Sequence, residues 1–380
     1  MNPMYRICSR CVMDTSARDI TFDFSGVCSY CSDFTASVAK LLSREPVEQR
    51  RSLGAFVAEV KTLGRGKPYD CIVGVSGGLD SSWALLQAQR HGLRPLAVHM
   101  DNGWNAELAQ NNIENLVKKL GVDLYTHVID WHEYRGLMQA FFDADVIDVE
   151  LLYDNAMFAV NYQQAVSRRV KYILAGSNQS TEGMRMPSEW NWFKFDATNI
   201  DGIARRFGGP PLESFPAIGA FRHFWYQTVR RYRWVAFLDY LHYTKADALS
   251  ELQADFNYKP YPYKHYESVF TRFYQGYILP QKFKVDKRRV HLSALIITGQ
   301  MSRVEALAML EHPPYPSPTD LEADKAYFQK KMGWTSTQLQ EYIERPGKPH
   351  SLYPSEREAW SRFAALYWRA RKFAGATLPA

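Results

Sequence analysis

Between Tyr69 and Gly176 the chain alternates between short apolar runs and longer stretches of helical periodicity. The apolar runs are YDCIVGV (69–75), RPLAVHM (94–100), DLYTHVI (123–129) and VKYILAG (170–176). Between them SSWALLQAQRH stops at Gly92, NAELAQNNIENLVKKL stops at Gly121, and a longer helical stretch runs from His132 to Arg169. Strand-length runs separated by helices that end on glycine predict an α/β fold with a doubly wound parallel sheet. In such a sheet a ligand sits beyond the carboxyl ends of the strands. Gly74–Ser82, Asp101–Trp104 and Gly176–Thr181 all fall there.

The first of these segments reads GVSGGLDSS. A plain strand-to-helix turn explains the glycines but not the density of serines. Gly74-Val75-Ser76-Gly77-Gly78 also fits the G-x-S-x-G elbow of α/β-hydrolases, yet no HGGG-like oxyanion segment lies upstream. A pyrophosphate cradle uses more of the residues. Gly77 and Gly78 let backbone N–H groups face an anion, the following helix adds its positive end, and Ser76, Ser81 and Ser82 supply hydroxyls. Asp80 then suits a magnesium ion bridging phosphates. No GxxxxGK[ST] sequence is present, so this is a different phosphate loop from the Walker type.

Four of the five cysteines stand at the start as Cys8-x2-Cys11 and Cys28-x2-Cys31, sixteen residues apart. This spacing predicts two knuckles presenting four thiolates to one structural zinc, with iron in a rubredoxin-like site as the alternative. Disulfides are disfavoured in a reducing compartment. Cys71, inside the first strand, reads as an inert core residue. MNPMYRICSRC has no signal-peptide character, and no uncharged apolar run reaches membrane-spanning length, so a cytoplasmic enzyme is expected. A net charge of +6 over 380 residues fits an anionic small substrate at least as well as a nucleic acid.

From about Met184 to Tyr277 the chain is aromatic, proline-bearing and reads as irregular. Its rings (Phe221, Phe224, Trp225, Tyr226, Tyr232, Trp234, Tyr240 and Tyr243) suit a core or subunit interface better than a stacking platform for a sugar. Helices are expected at 286–298, 302–311, 320–332 and 355–373, with a capping box at Ser302-x-x-Glu305. The resulting division is a four-cysteine zinc module (1–40), a phosphate-loop domain (41–185) and a substrate- and partner-binding region (186–380).

SGGLDSS on the first strand of such a sheet resembles the PP-loop of N-type ATP pyrophosphatases. Four further stretches resemble the N-acetyl sugar amidotransferases of the WbpG and PseA type within that superfamily. They are RICSRCVMDTS…CSYC, YDCIVGVSGGLDSS, LAGSNQSTEG and KHYESVFTRFYQGYILPQKFKVDKRRVHLSALI. The resemblance implies an adenine nucleotide α-hydrolase-like sheet. It implies that Ser76, Gly77, Gly78, Asp80, Ser81 and Ser82 hold the pyrophosphate and Mg2+ of ATP. By the same resemblance His99, Asp101, Gly103, Gly176, Ser177 and Asn178 border the nucleotide. Gln179, Thr181 and Glu182 face nucleotide, substrate or solvent.

The family's reaction is ATP-dependent conversion of an acetamido group to acetamidino on a sugar, expected to be nucleotide-linked, in lipopolysaccharide O-antigen or related glycan synthesis. Charge would develop on phosphate oxygens, so Asp80 with Lys282, Lys287 and Arg288 are the expected catalytic residues, and Arg289 is a further candidate. No glutaminase Cys–His–Glu pattern is present, so a separate glutaminase is expected to supply ammonia, and the resemblance implies a partner similar to the HisH glutaminase with a HisF-like subunit. Neither nucleic acid nor a membrane span is expected, and a homo-oligomer is left open. The rival reading is a PP-loop tRNA-modifying sulfurtransferase. Leu79 at the centre of the motif and Cys71 as the lone spare cysteine both weigh against it.

Overall fold

The computed structural model describes residues 5–263 and 266–373. Five strands form one parallel sheet: β1 (Cys71–Gly74), β2 (Pro95–Asp101), β3 (Leu124–Val128), β4 (Tyr172–Ala175) and β5 (Arg233–Ala236). Their order is β3-β2-β1-β4-β5, and every neighbouring pair is parallel. The first four lie inside the four apolar runs. β5 was not anticipated; it continues the sheet from β4 with Tyr172 opposite Arg233 and Ala175 opposite Ala236. It lies past residue 185, so the sheet extends into the stretch assigned to substrate binding.

Side chains alternate across a strand, and here both faces are covered. Cys71 and Val73 of β1 enter a core with the helices Pro46–Gly64, Leu79–Arg90, Glu107–Leu120 and Lys245–Phe256. Ile72 enters the opposite core with the helices Trp131–Asp143 and Leu151–Ser167. The chain steps from β1 to β2 to β3 with its helices on one face, then returns across the other face to β4. Right-handed crossovers demand that change of face when the winding reverses, and the reversal opens a crevice between the carboxyl ends of β1 and β4.

Helix ends follow local chemistry. Gly121 closes Glu107–Leu120 in the left-handed region with φ 63°, and the Ser302/Glu305 capping box opens Arg303–Leu310. The stretch 132–169 is two helices, interrupted by Asp145 at φ 56°. Contrary to the reading of 184–277 as irregular, that span holds the helices Ala197–Arg206, Ala220–Thr228 and Lys245–Phe256 as well as β5. Each helix is short, and Asp196 and Thr244 cap two of them from the side chain, at Asn199 N and Asp247 N. Most of the aromatic belt is core. Trp234 and Phe158 have ring centres 4.7 Å apart, Tyr240 stacks on Phe56 at 4.5 Å, and Tyr226, Tyr232 and Tyr243 are buried. Among the described residues no helix is long and apolar enough to cross a membrane.

Candidate active site

β1 hands over to the helix Leu79–Arg90 through Val75–Gly78, at the reversal point of the sheet. Gly77 has φ +82°, and a Cβ there would stand 2.5 Å from the Ala109 carbonyl oxygen and 2.8 Å from its Cα. The loop is therefore pressed against the start of the neighbouring helix, and only glycine combines that φ with that approach. Gly176, just past β4, is crowded from the other side: a Cβ would lie 2.6 Å from Ser81 N and 2.7 Å from the carbonyl carbon of Asp80. Gly77 thus lets the loop close on the helix Glu107–Leu120, and Gly176 lets the end of β4 close on the first turn of Leu79–Arg90.

The serines organise the turn. The hydroxyls of Ser76 and Ser81 lie 3.1 Å apart, Ser81 Oγ accepts from Ser76 N at 3.2 Å, and Ser76 Oγ accepts from Gly78 N at 3.3 Å. Ser82 is buried, with its N–H on Gly78 O at 3.1 Å. Asp80 stands half-buried in the first helical turn and accepts a hydrogen bond from the phenol of Tyr243. Burial first, and then the Asp80 charge, push the Tyr243 phenol above its ordinary pKa, which keeps it a donor. The result is a helix N-terminus with grouped hydroxyls and one carboxylate, chemistry that accepts an anion carrying a divalent cation.

The opposite wall comes from residues far along the chain. Tyr261 OH donates to Gly77 O at 3.0 Å, and Asn112 Nδ2 donates to Lys259 O at 3.0 Å while its Oδ1 accepts from Lys259 N at 3.0 Å. The Glu267 carboxylate lies against the α-carbon of Gly78, where a Cβ would collide with it. The Glu267 carbonyl accepts from Ala106 N at 2.8 Å, and Asn105 bridges to Ser268, so this segment is pinned along the loop after β2. Lys331 reaches the same loop, donating to Gly103 O at 2.7 Å over the ring of Trp131 at 3.7 Å.

The nucleotide-bordering candidates are brought together, but several are already engaged within the protein. His99 Nδ1 is 2.9 Å from Val75 O and its Nε2 is 3.0 Å from Asn105 Nδ2, a pair of contacts that assigns Nδ1–H as donor and Nε2 as acceptor. Burial lowers its pKa, so the ring is neutral and ties β2 to the phosphate-type loop. Asp101 Oδ1 accepts from Gly103 N at 2.8 Å. Asn178 caps the turn Gln179–Glu182 through Thr181 N at 2.8 Å, while Ser177 is exposed beside it.

The basic residues expected to be catalytic have internal partners. Lys282 is fully buried, its ammonium donating to Asp145 Oδ1 (3.0 Å), Tyr342 O (2.6 Å) and Arg345 O (2.7 Å), so three donors meet three acceptors. Lys287 is buried on Glu150 at 2.7 Å. Arg288 grips Asp286 and the carbonyls of Met309 and His312. Arg289 pairs with Asp14 at 3.0 Å and donates to Val12 O at 2.8 Å, joining the C-terminal region to the cysteine module. These contacts hold the fold together; Tyr243, Tyr261 and Glu267 reach the turn 76–82 from the C-terminal side, and Lys331 reaches the loop after β2. Of the residues missed in the sequence, only Asn112 carries a local signal: it is a polar residue within the apolar stripe Ala109, Ile113, Leu116.

The four knuckle cysteines do converge. Their sulfurs lie within 4.8 Å of one another, with Cys8–Cys31 at 3.7 Å and Cys11–Cys28 at 3.8 Å, and all are buried. Thiolates around a tetrahedral zinc with bonds of about 2.3 Å stand about 3.8 Å apart, so the donor set fits a closed structural site. Backbone N–H groups of Cys28, Met13 and Cys31 point at the sulfurs of Cys8, Cys11 and Cys28 at 3.3–3.4 Å, as thiolates require. Arg303 clasps the carbonyls of Cys8 (2.8 Å) and Cys11 (3.0 Å).

The fold is a doubly wound α/β sheet with a glycine- and serine-rich turn on a helix N-terminus at its reversal point, an arrangement that suits an anion. Residues 267–367 match the family described as "LPS biosynthesis protein WbpG-like, C-terminal domain". That match begins at Glu267, the residue lying against Gly78. Two solved structures are similar over part of the chain. NMN synthetase from Francisella tularensis is 16% identical over 44% of this chain and 73% of its own, with a TM-score of 0.30. The NH3-dependent NAD synthetase from Campylobacter jejuni is 12% identical over 72% of this chain and 100% of its own, also with a TM-score of 0.30. Superpositions that loose carry no inference about this chain. No curated protein matches it.

Proposed function

We propose that the chain is an ATP-dependent amidotransferase of the PP-loop kind, forming AMP and pyrophosphate. Its substrate would be an N-acetyl sugar, nucleotide-linked, whose acetamido group it converts to acetamidino for a surface polysaccharide. The observation that carries this reading is the loop 76–82 at the sheet's reversal point, with a WbpG-like domain starting at the residue that lies against it.

In the proposed reaction the acetamido oxygen attacks the α-phosphorus of ATP, the bond to the β-phosphate bridging oxygen breaks, and pyrophosphate leaves. Ammonia then adds to the imidoyl carbon, loses a proton, and AMP departs with the former amide oxygen. Neither step needs a protein nucleophile. The chain's work is to hold charge: the N–H groups and serine hydroxyls of 76–82 face the leaving pyrophosphate, and the helix Leu79–Arg90 aims its positive end at it. Mg2+ would be held at Asp80 and would neutralise phosphate charge there. Tyr243 fixes the Asp80 carboxylate in the ligand-free protein, and His99, held neutral, keeps the β2 end and the loop in register.

All five cysteines are buried, and burial pushes the Cys71 thiol well up. A thiol in that state does not carry sulfur, which favours nitrogen transfer over sulfur transfer. Ammonia would come from a separate glutaminase. The test is to incubate the protein with MgATP, ammonium and candidate N-acetyl sugar nucleotides, and to resolve nucleotides and sugars by mass spectrometry. AMP, pyrophosphate and an amidine product should appear together; ADP, or AMP formed equally without sugar, would refute the reading.

A further inference from the structure

Immediately after the helix Lys245–Phe256, Tyr258 buries a phenol whose hydroxyl has no hydrogen-bond partner. A buried hydroxyl without an acceptor is unfavourable, so its persistence points to a partner that arrives with a ligand. Burial first, and then the neighbouring Tyr261, Glu267 and Asp80, push its phenol above the ordinary pKa, which keeps it a donor.

We propose that Tyr258 is a phosphate-binding residue, its O–H donating to an oxygen of the triphosphate and staying with the pyrophosphate as it leaves. This rests on the PP-loop reading above and adds a specific donor from outside the loop. The placement is rigid. Lys259, the next residue, is held by both ends of the Asn112 amide, and Tyr261 holds Gly77 O at 3.0 Å. The rings of Tyr258 and Tyr261 meet edge to face at 6.4 Å and 79°. Tyr258 also complements the loop, since the loop's own donors and Tyr258 belong to different segments, and Tyr261 of the Tyr258 segment holds Gly77 O.

The test compares wild type, Tyr258→Phe and Tyr342→Phe for binding of magnesium pyrophosphate and MgATP by calorimetry, and for melting of the ligand-free proteins. Tyr342 also has an unpartnered buried hydroxyl, but beside Lys282 and Asp145. Loss of a hydrogen bond to a charged acceptor should weaken both ligands about tenfold to a hundredfold in Tyr258→Phe. Its ligand-free melting temperature should be unchanged or higher, because an unsatisfied donor has been removed. Tyr342→Phe should bind like wild type. If wild type binds and Tyr258→Phe binds equally well, the assignment of Tyr258 is wrong while the PP-loop reading stands. If Tyr342→Phe weakens binding as much, the effect is general softening and the assignment is again wrong. If wild type binds neither ligand, the PP-loop reading itself fails.

Discussion

Replacing Gly77 by alanine imposes two separable costs on the loop. The first is conformational: at φ +82° an L-residue sits in the left-handed region, at a cost of about 1–2 kcal/mol. The second is steric. The new methyl would stand 2.5 Å from Ala109 O and 2.8 Å from Ala109 Cα, both backbone atoms that no rotamer change can move aside. Relieving this requires the loop and the helix Glu107–Leu120 to separate, an overpacking cost of about 1–3 kcal/mol. Gly121→Ala is the control, since Gly121 has φ +63° and nothing within 4 Å of its would-be Cβ. Urea unfolding should therefore show Gly121→Ala losing about 1–2 kcal/mol and Gly77→Ala losing about 2–5 kcal/mol at an unchanged m-value. Pyrophosphate binding at a temperature where all three proteins are folded should be intact in Gly121→Ala and lost in Gly77→Ala. If the two variants are equally stable and both bind, the close approach of loop to helix is not what glycine is there for.

Three other outcomes follow from the same structure. Metal analysis should find one zinc per chain, and Cys28→Ser should lose it together with several kcal/mol of stability; metal-free wild type with unaltered melting would contradict the knuckle. Lys282→Met should cost about 2–4 kcal/mol, moderated because Asp145 keeps Arg345 and Lys348, while the folded fraction forms AMP at the wild-type rate; a slow but fully stable variant would restore Lys282 to the chemistry. His350 is buried and His223 partly buried, and desolvation pushes both down to about 4. The unfolded chain binds their protons first, near pH 6.5, so their contribution is complete above that pH and is lost toward pH 4, up to about 3 kcal/mol each. Their ring resonances should keep neutral shifts at pH 5, and titration near pH 6.5 would contradict the burial.

What the sequence revealed was local. The runs that became β1, β2 and β4 are apolar because both sheet faces are buried there, while the edge strand β3 alternates exposed and partly buried residues, and the loop's glycines and serines speak for themselves within nine residues. RWVA, by contrast, became β5 just behind Arg230 and Arg231, and its burial comes from far along the chain: Trp234 packs on Phe158 and Tyr162, and Val235 on the opposite core. The basic cluster 282–289 looked like an anion site because its counter-charges Asp145, Glu150 and Asp14 stand far away in sequence. The same distance hid the second wall of the site. Tyr243, Tyr258, Tyr261 and Glu267 lie well over a hundred residues from the loop they surround, and nothing in their own neighbourhood marks them.

The central claim is that an amide oxygen of the substrate ends on AMP. Supplying the N-acetyl sugar nucleotide with heavy oxygen in its acetamido carbonyl, together with MgATP and ammonium, tests it directly. The account predicts that the AMP released carries the label and the amidine product does not. Label retained in the sugar, or AMP that takes its oxygen from water, would contradict it.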